Sequence, residues 1–313
     1  MVPGGFCNRE IKLTMQNGSP SYRVKGKRVY RQFGQRELDA EYDARGSAPD
    51  GQAYRDFLVE QSKKAIRELD CMLDVPYGAS SDEVVDIFPA EQPNSPIVYF
   101  IHGGFWRSSS QRDLDLFALT FIPRGCAYVS VNYSLAPQAT IDEIVHQCRS
   151  GLAWVFNNAT SFNGDPDKIY VNGRSAGGHL TGMMLATDWE TDFKVPTNVI
   201  KGATAVSGLF DLEPVRLSSV NDWAKMDKEA AYRNSPVHHI PKIQCPLLLA
   251  WGGDETSEFK RQSDLMAVAW RSRGWSCETL ELAGKHHFAT MPDILDPDSD
   301  LSKAVFRQMG LSD

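Results

Sequence analysis

The chain has 313 residues, 42% hydrophobic and 23% charged, an ordinary balance for a globular protein with a large core. Its formal net charge of −7 and pI near 5.6 argue against nucleic acid or an anionic membrane as the main partner. No run approaches the roughly 20 apolar residues that a membrane span needs, so a soluble protein is expected.

Residues 1–34 are polar and basic and read as an irregular arm, part of it mobile. Met1-Val2-Pro3-Gly4-Gly5-Phe6-Cys7 lacks the charged start and apolar stretch of a signal peptide. The six cysteines (Cys7, Cys71, Cys126, Cys148, Cys245, Cys277) form no C-x-x-C pair. They read as reduced, packing residues in a reducing cytoplasm. Helical spacing runs from Arg36 to Arg45 and from Gln52 to Leu73, with Tyr54, Phe57, Leu58, Ala65 and Leu69 on one face of the second helix. This pair is expected to pack over or beside the functional site.

Val84–Phe88 and Ile97–Ile101 read as strands, the second almost wholly apolar, as befits a strand buried on both faces. An amphipathic helix near 111–123 follows, then a strand at Ala127–Asn132 and a long helix from Ile141 to about Asn157. Lys168–Asn172 is a further strand, His179–Ala186 lies in a helix, and Ala203–Ser207 is a strand. Residues 209–240 are polar with short helical pieces, too long for a connector, and predict a lid-like insertion. Pro246–Trp251, Phe259–Arg273, Glu278–Leu282 and Leu301–Met309 read as strand, helix, strand and closing helix. Such alternation predicts an α/β fold: one domain over 35–313, with a mostly parallel central sheet covered by helices on both faces.

One corner carries the chemistry. Gly173-Arg174-Ser175-Ala176-Gly177 joins the strand Lys168–Asn172 to the helix behind it, the context that makes G-x-S-x-G a nucleophile elbow. A nucleophilic serine must stand on a turn too sharp for flanking side chains, and glycine at 173 and 177 removes them. The helix also points its free N–H groups and positive dipole end toward developing negative charge. Such a serine needs an acid and a base, which in folds built on this elbow follow it in the order Ser, Asp or Glu, His. Asp254, beyond the strand Pro246–Trp251 and Gly252-Gly253, is the favoured acid; a helix N-cap is its structural reading, and Glu255 is the neighbouring alternative. Of His286 and His287, only one can face the serine, and His287 is favoured because Phe288 can anchor its loop. His179 reads as a helix-face residue near the elbow, and His238 and His239 as surface residues of the insertion. No histidine has further ligands at metal spacing, so no metal and no cofactor are expected.

His102-Gly103-Gly104-Phe105-Trp106 follows the buried strand 97–101. Its glycines let the Gly103 and Gly104 N–H groups turn toward an oxyanion, with Ala176 N–H as the other donor. His102, upstream of the serine, is expected to hold this loop rather than act as a base.

The stretches His102–Trp106, Gly173–Gly178 and Lys285–Phe288 resemble the kynurenine formamidase (arylformamidase) branch of the α/β-hydrolases, whose oxyanion loop reads H-G-G-x-W. The likeness extends through Asn132–Pro137, Thr140–Ile144, Ser207–Leu212, Gly252–Phe259 and Leu38–Tyr42, over roughly residues 36–310. It implies Ser175 as nucleophile, Asp254 as acid and His287 as base, and hydrolysis of N-formyl-L-kynurenine to L-kynurenine and formate in tryptophan catabolism. The family often carries His where this chain has Arg174; a structural salt bridge is the favoured reading there, pairing with a substrate carboxylate the other. Phe105 and Trp106, and Trp223 if it is not simply packed, are expected to face an aromatic substrate. The partner is thus a small aromatic amide or ester, and assembly as a homodimer stays open. The alternatives are a carboxylesterase or other small-acyl amide or carbamate hydrolase, and a non-catalytic binding protein on the same scaffold.

Overall fold

The computed structural model describes residues 13–16, 19–22, 27–241 and 244–311. Part of the arm at 1–34 lies outside these. Within it, two strands, β1 (Leu13–Gln16) and β2 (Ser19–Tyr22), pair antiparallel as a small hairpin, where an irregular arm was expected.

The main sheet has eight strands: β3 (Met72–Pro76), β4 (Val84–Phe88), β5 (Ser95–Ile101), β6 (Ala127–Val131), β7 (Gly164–Arg174), β8 (Ile200–Val206), β9 (Leu247–Gly252) and β10 (Cys277–Leu282). Their spatial order is β10-β9-β8-β7-β5-β6-β4-β3. The five pairs from β10 to β6 are parallel, and β4 and β3 extend the sheet antiparallel at one edge. This is the mostly parallel, helix-covered sheet that the alternation of elements predicts.

Alternation along β5 builds the core on both faces. Ile97, Tyr99 and Ile101 point into one apolar layer with Ile144, Leu152 and Leu180 of the helices Ile141–Asn158 and Ala176–Leu185. Val98 and Phe100 point into the other, with Leu58, Phe117, Phe121 and Phe306. Each layer excludes water from a parallel strand that has no polar face to offer it.

Three elements depart from the sequence reading. The second helix is Gly51–Glu68 and does not run to Leu73; Leu69 is extended, and β3 follows. That edge strand alternates only between exposed and half-buried residues, too faint an apolar signal to read. The expected helix near 111–123 is a 3-10 stretch, Gln111–Phe117, then one α-turn, Ala118–Phe121, and another 3-10 turn that Gly125 ends with a left-handed φ of 74°. The insertion 209–240 contains short helices at Glu213–Arg216, Asn221–Ala224 and Lys228–Arg233. Cys71, Cys126, Cys148, Cys245 and Cys277 are free thiols, and no described helix is long and apolar enough to cross a membrane.

Candidate active site

Ser175 sits between β7 and the helix Ala176–Leu185 with φ 57° and ψ −120°, a strained conformation for a residue with a Cβ. The surroundings enforce it. Its N–H donates to Val206 O (2.8 Å), its carbonyl starts the helix through His179 N–H (3.0 Å), and a Cβ at Gly177 would lie 2.0 Å from Ile101 O. The serine is 2% exposed.

His287 comes from the loop after β10. Its Nε2 lies 3.1 Å from Ser175 Oγ, and its Nδ1 meets Glu255 Oε1 in a very short contact. His286 turns the other way, with Nε2 2.8 Å from Asp50 and its ring edge-on to Tyr54. Burial, then the nearby Arg174 charge, disfavours the His287 imidazolium and holds its pKa below the ordinary histidine value, against the opposing pull of Glu255. The ring beside Ser175 is therefore neutral near pH 7, with Nε2 free to accept a proton.

The carboxylate on His287 is Glu255, which corrects the expectation of Asp254. After β9 the chain makes a tight turn, Glu255 N–H donating to Gly252 O (3.1 Å), that sends residue 255 inward and leaves Asp254 exposed. The Glu255 side chain is 1% exposed, and its Oε2 accepts from Ser207 Oγ (2.9 Å) and Gly252 N–H (2.8 Å). Asp254 does not cap the next helix either; Thr256 occupies that N-cap position. Nothing in Asp-Glu as a pair reveals which of the two the turn directs inward.

The loop His102–Trp106 lies against the elbow. A Cβ at Gly103 would stand 2.7 Å from Arg174 O and 3.2 Å from Ser175 Cβ, so only glycine lets its backbone come so near the serine. Gly104, Phe105 and Trp106 have φ of 97°, 49° and 58°. The N–H groups of Gly103, Gly104 and Ala176 make no loop or cap hydrogen bond among the described residues. His102 is fully buried, stacks on Tyr133 (centroids 4.0 Å apart), and Nδ1 lies 2.9 Å from Gly103 O; burial lowers its pKa to about 4. It props the loop as a neutral ring.

A cavity of about 590 Å³ opens above Ser175, lined by Gly103, Gly104, Phe105, Arg174, Trp223 and Phe288 among others. The N-terminal helices complete its wall through Ala40, Leu58 and Val59, and Phe288 packs on Gly51, Ala44 and Ala48. Phe105 and Trp223 thus face the cavity, and Trp223 Nε1 also donates to Phe105 O (3.0 Å). Trp106 does not face it, contrary to expectation: it is fully buried, and its indole N–H donates to His179 Nδ1 (3.2 Å). The left-handed backbone at 105 and 106 turns one ring outward and the other into the core. Arg174 does not form the expected salt bridge; its Nη2 donates to His287 O instead.

The BD-FAE family model matches residues 85–269. The chain is 31% identical to a kynurenine formamidase of Danio rerio over 262 residues, 82% of this chain and 87% of that protein. It is 32% identical to a kynurenine formamidase of Salmo salar over 263 residues, with the same two coverages. A crystal structure of a provisionally assigned thioesterase from Silicibacter sp. tm1040 superposes with a TM-score of 0.75 at 28% identity, covering 86% of this chain and 98% of that one.

Proposed function

The chain belongs to the kynurenine formamidase family of α/β-hydrolases and is a hydrolase, and from that premise we propose that it cleaves an aryl formamide, N-formyl-L-kynurenine, to L-kynurenine and formate. The observation that carries the reading is the contact chain Ser175–His287–Glu255 at the floor of a cavity bordered by Gly103 and Gly104.

His287 Nε2 takes the Ser175 proton as Oγ attacks the formyl carbon, and Glu255 holds the Nδ1–H tautomer and stabilises the imidazolium. The N–H groups of Gly103, Gly104 and Ala176 receive the oxyanion. The C–N bond then breaks as His287 returns the proton to the departing aryl amine. Water, activated by the same histidine, attacks the formyl-serine and releases formate. The Phe105 and Trp223 rings offer the aryl group apolar surface, and the cavity volume lies in the usual range for small-molecule sites. The free thiols support a reducing, cytosolic setting.

Steady-state rates on N-formyl-L-kynurenine and on 4-nitrophenyl acetate test the reading. Efficient formamide turnover that Ser175→Ala abolishes is expected; turnover of the ester alone would make the protein a carboxylesterase on the same side chains.

A further inference from the structure

The chain is acidic overall, with 40 Asp and Glu against 33 Lys and Arg. The wall of the Ser175 cavity reverses that balance. Arg36, Arg45, Arg55, Arg107 and Arg174 line it, against the carboxylates of Asp39, Asp43 and Asp113. Those three are already engaged by backbone N–H groups: Asp39 by Ser219 (2.7 Å), Asp43 by Gly46 (2.9 Å) and Asp113 by Ser110 (3.1 Å). The arginines that do form ion pairs among the described residues are Arg112, Arg216, Arg233, Arg261 and Arg307, none of which lines the cavity.

Two of these five guanidiniums, both outside any ion pair among the described residues, lie against one ring of the cavity wall. The Cζ atoms of Arg55 and Arg174 lie 5.3 and 5.2 Å from the centroid of the same ring, Phe288. Burial, opposed by Glu255 and reinforced by the Arg55 charge, brings the Arg174 pKa down to about 10. Two cations on one ring, neither in an ion pair among the described residues, repel each other, and a bound anion relieves that repulsion.

We propose that Arg55 and Arg174, sharing the Phe288 ring, form a carboxylate-binding subsite of the Ser175 cavity, which selects aryl amides or esters that carry a carboxylate. The inference rests on the preceding reading of Ser175 as the nucleophile, and the amino-acid carboxylate of N-formyl-L-kynurenine is a group of this kind. Arg55 comes from the helix Gly51–Glu68 and Arg174 from the elbow. The N-terminal helices thus contribute to specificity as well as to the cavity wall.

The full chain is assayed on two substrate pairs, each matched in acyl group and scissile bond and differing in the carboxylate of the leaving group. The first is N-formyl-L-kynurenine against N-(2-acetylphenyl)formamide, the second 3-(4-acetoxyphenyl)propanoate against 4-propylphenyl acetate. A charge-assisted contact corresponds to roughly 10- to 100-fold in binding. The wild-type kcat/KM is therefore expected to favour the anionic member at least tenfold, and Arg55→Met to lower that ratio roughly 10- to 100-fold, chiefly through KM, with partial recovery in Arg55→Lys. Arg55 is the informative position, because Arg174 also holds the His287 carbonyl. A wild-type ratio near one, which needs no variant, overturns the subsite, as does a ratio that Arg55→Met leaves unmoved. If both formamides are inert while the esters keep the preference, the formamidase reading fails and the subsite stands. If N-formyl-L-kynurenine is turned over with no carboxylate preference in either pair, the subsite fails alone.

Discussion

Replacing Glu255 by Gln separates the two acidic neighbours. Three donors converge on the Glu255 carboxylate: His287 Nδ1–H at Oε1, and Ser207 O–H and Gly252 N–H at Oε2. A carboxylate accepts from all three, but a glutamine offers one oxygen and an NH2 group. Were the NH2 to take the Oε2 position, it would face the fixed backbone donor of Gly252 at 2.8 Å. The amide therefore settles with its oxygen there and its NH2 toward His287, which forces Nδ1 to accept and places the ring proton on Nε2, facing Ser175. That tautomer cannot take the serine proton. The equivalent carboxylate-to-amide change in serine proteases lowers kcat about 10⁴-fold, about 5.5 kcal/mol in the barrier. Glu255→Gln is expected to lose kcat on that scale while keeping its circular dichroism spectrum. Asp254→Asn, altering an exposed side chain, is expected to stay within about twofold of wild type. Initial rates of formamide hydrolysis at neutral pH measure both. A collapse in Asp254→Asn with Glu255→Gln nearly intact would refute the assignment of the acid.

The lowered pKa of His287 places the acidic limb of the kcat/KM profile below the ordinary histidine value of about 6.5. Arg174→Met removes a positive charge that disfavours the imidazolium, so the limb should move to higher pH; an unmoved limb counts against the coupling. Gly103→Ala would put a Cβ 2.7 Å from Arg174 O and displace a proposed oxyanion donor. It is expected to fold and to lose about 10²–10³ in kcat, and full activity would remove Gly103 from the hole. Asp115 is fully buried beside Asp86, and desolvation, then the Asp86 charge, raises its pKa well above the carboxylate range. The native state then holds a proton that the unfolded chain releases, so stability falls as pH rises above the ordinary carboxylate value. Asp115→Asn carries no such proton, and its melting temperature should gain on wild type between about pH 4 and pH 8; a difference constant with pH would refute this.

The parts legible in the sequence are those where one local rule acts alone. Continuous apolar strands such as Ile97–Ile101 announce a doubly covered sheet, and strand, G-x-S-x-G, helix announces the turn at Ser175. The acid was misplaced because its identity depends on the hydrogen bonding of one turn, and Asp254 and Glu255 satisfy every pattern equally. Trp106 was misplaced for a similar reason: adjacent left-handed residues point Phe105 and Trp106 to opposite sides, and nothing in Phe-Trp specifies that backbone. Of the arginines on the cavity wall the sequence singles out Arg174 alone, because Arg36, Arg45 and Arg55 precede the sheet and meet it and Arg107 only after folding.

The loop His102–Trp106, the proposed oxyanion loop, keeps its shape through contacts that include the insertion 209–240. Left-handed backbone at Phe105 and Trp106 costs on the order of 1–3 kcal/mol per residue, and the loop keeps that shape only if its surroundings over-determine it. Trp106 O accepts from Ala136 N–H (2.7 Å), and Tyr133 O–H donates to His102 O (2.9 Å). The insertion supplies the rest: Trp223 Nε1–H holds Phe105 O, and Asn234 O accepts from His179 Nε2–H (2.7 Å). That last contact fixes a tautomer. With Nε2 protonated, His179 Nδ1 is free to accept the Trp106 indole, and burial, lowering the pKa to about 4, keeps the ring neutral for that purpose. At roughly 1 kcal/mol per hydrogen bond, with full burial of Trp106 adding about 2 kcal/mol, these contacts are of the same size as the strain they oppose. The loop is thus set before any substrate enters, the condition under which fixed N–H donors stabilise an oxyanion without reorganising. The insertion therefore braces the loop His102–Trp106 as well as lining the cavity through Trp223.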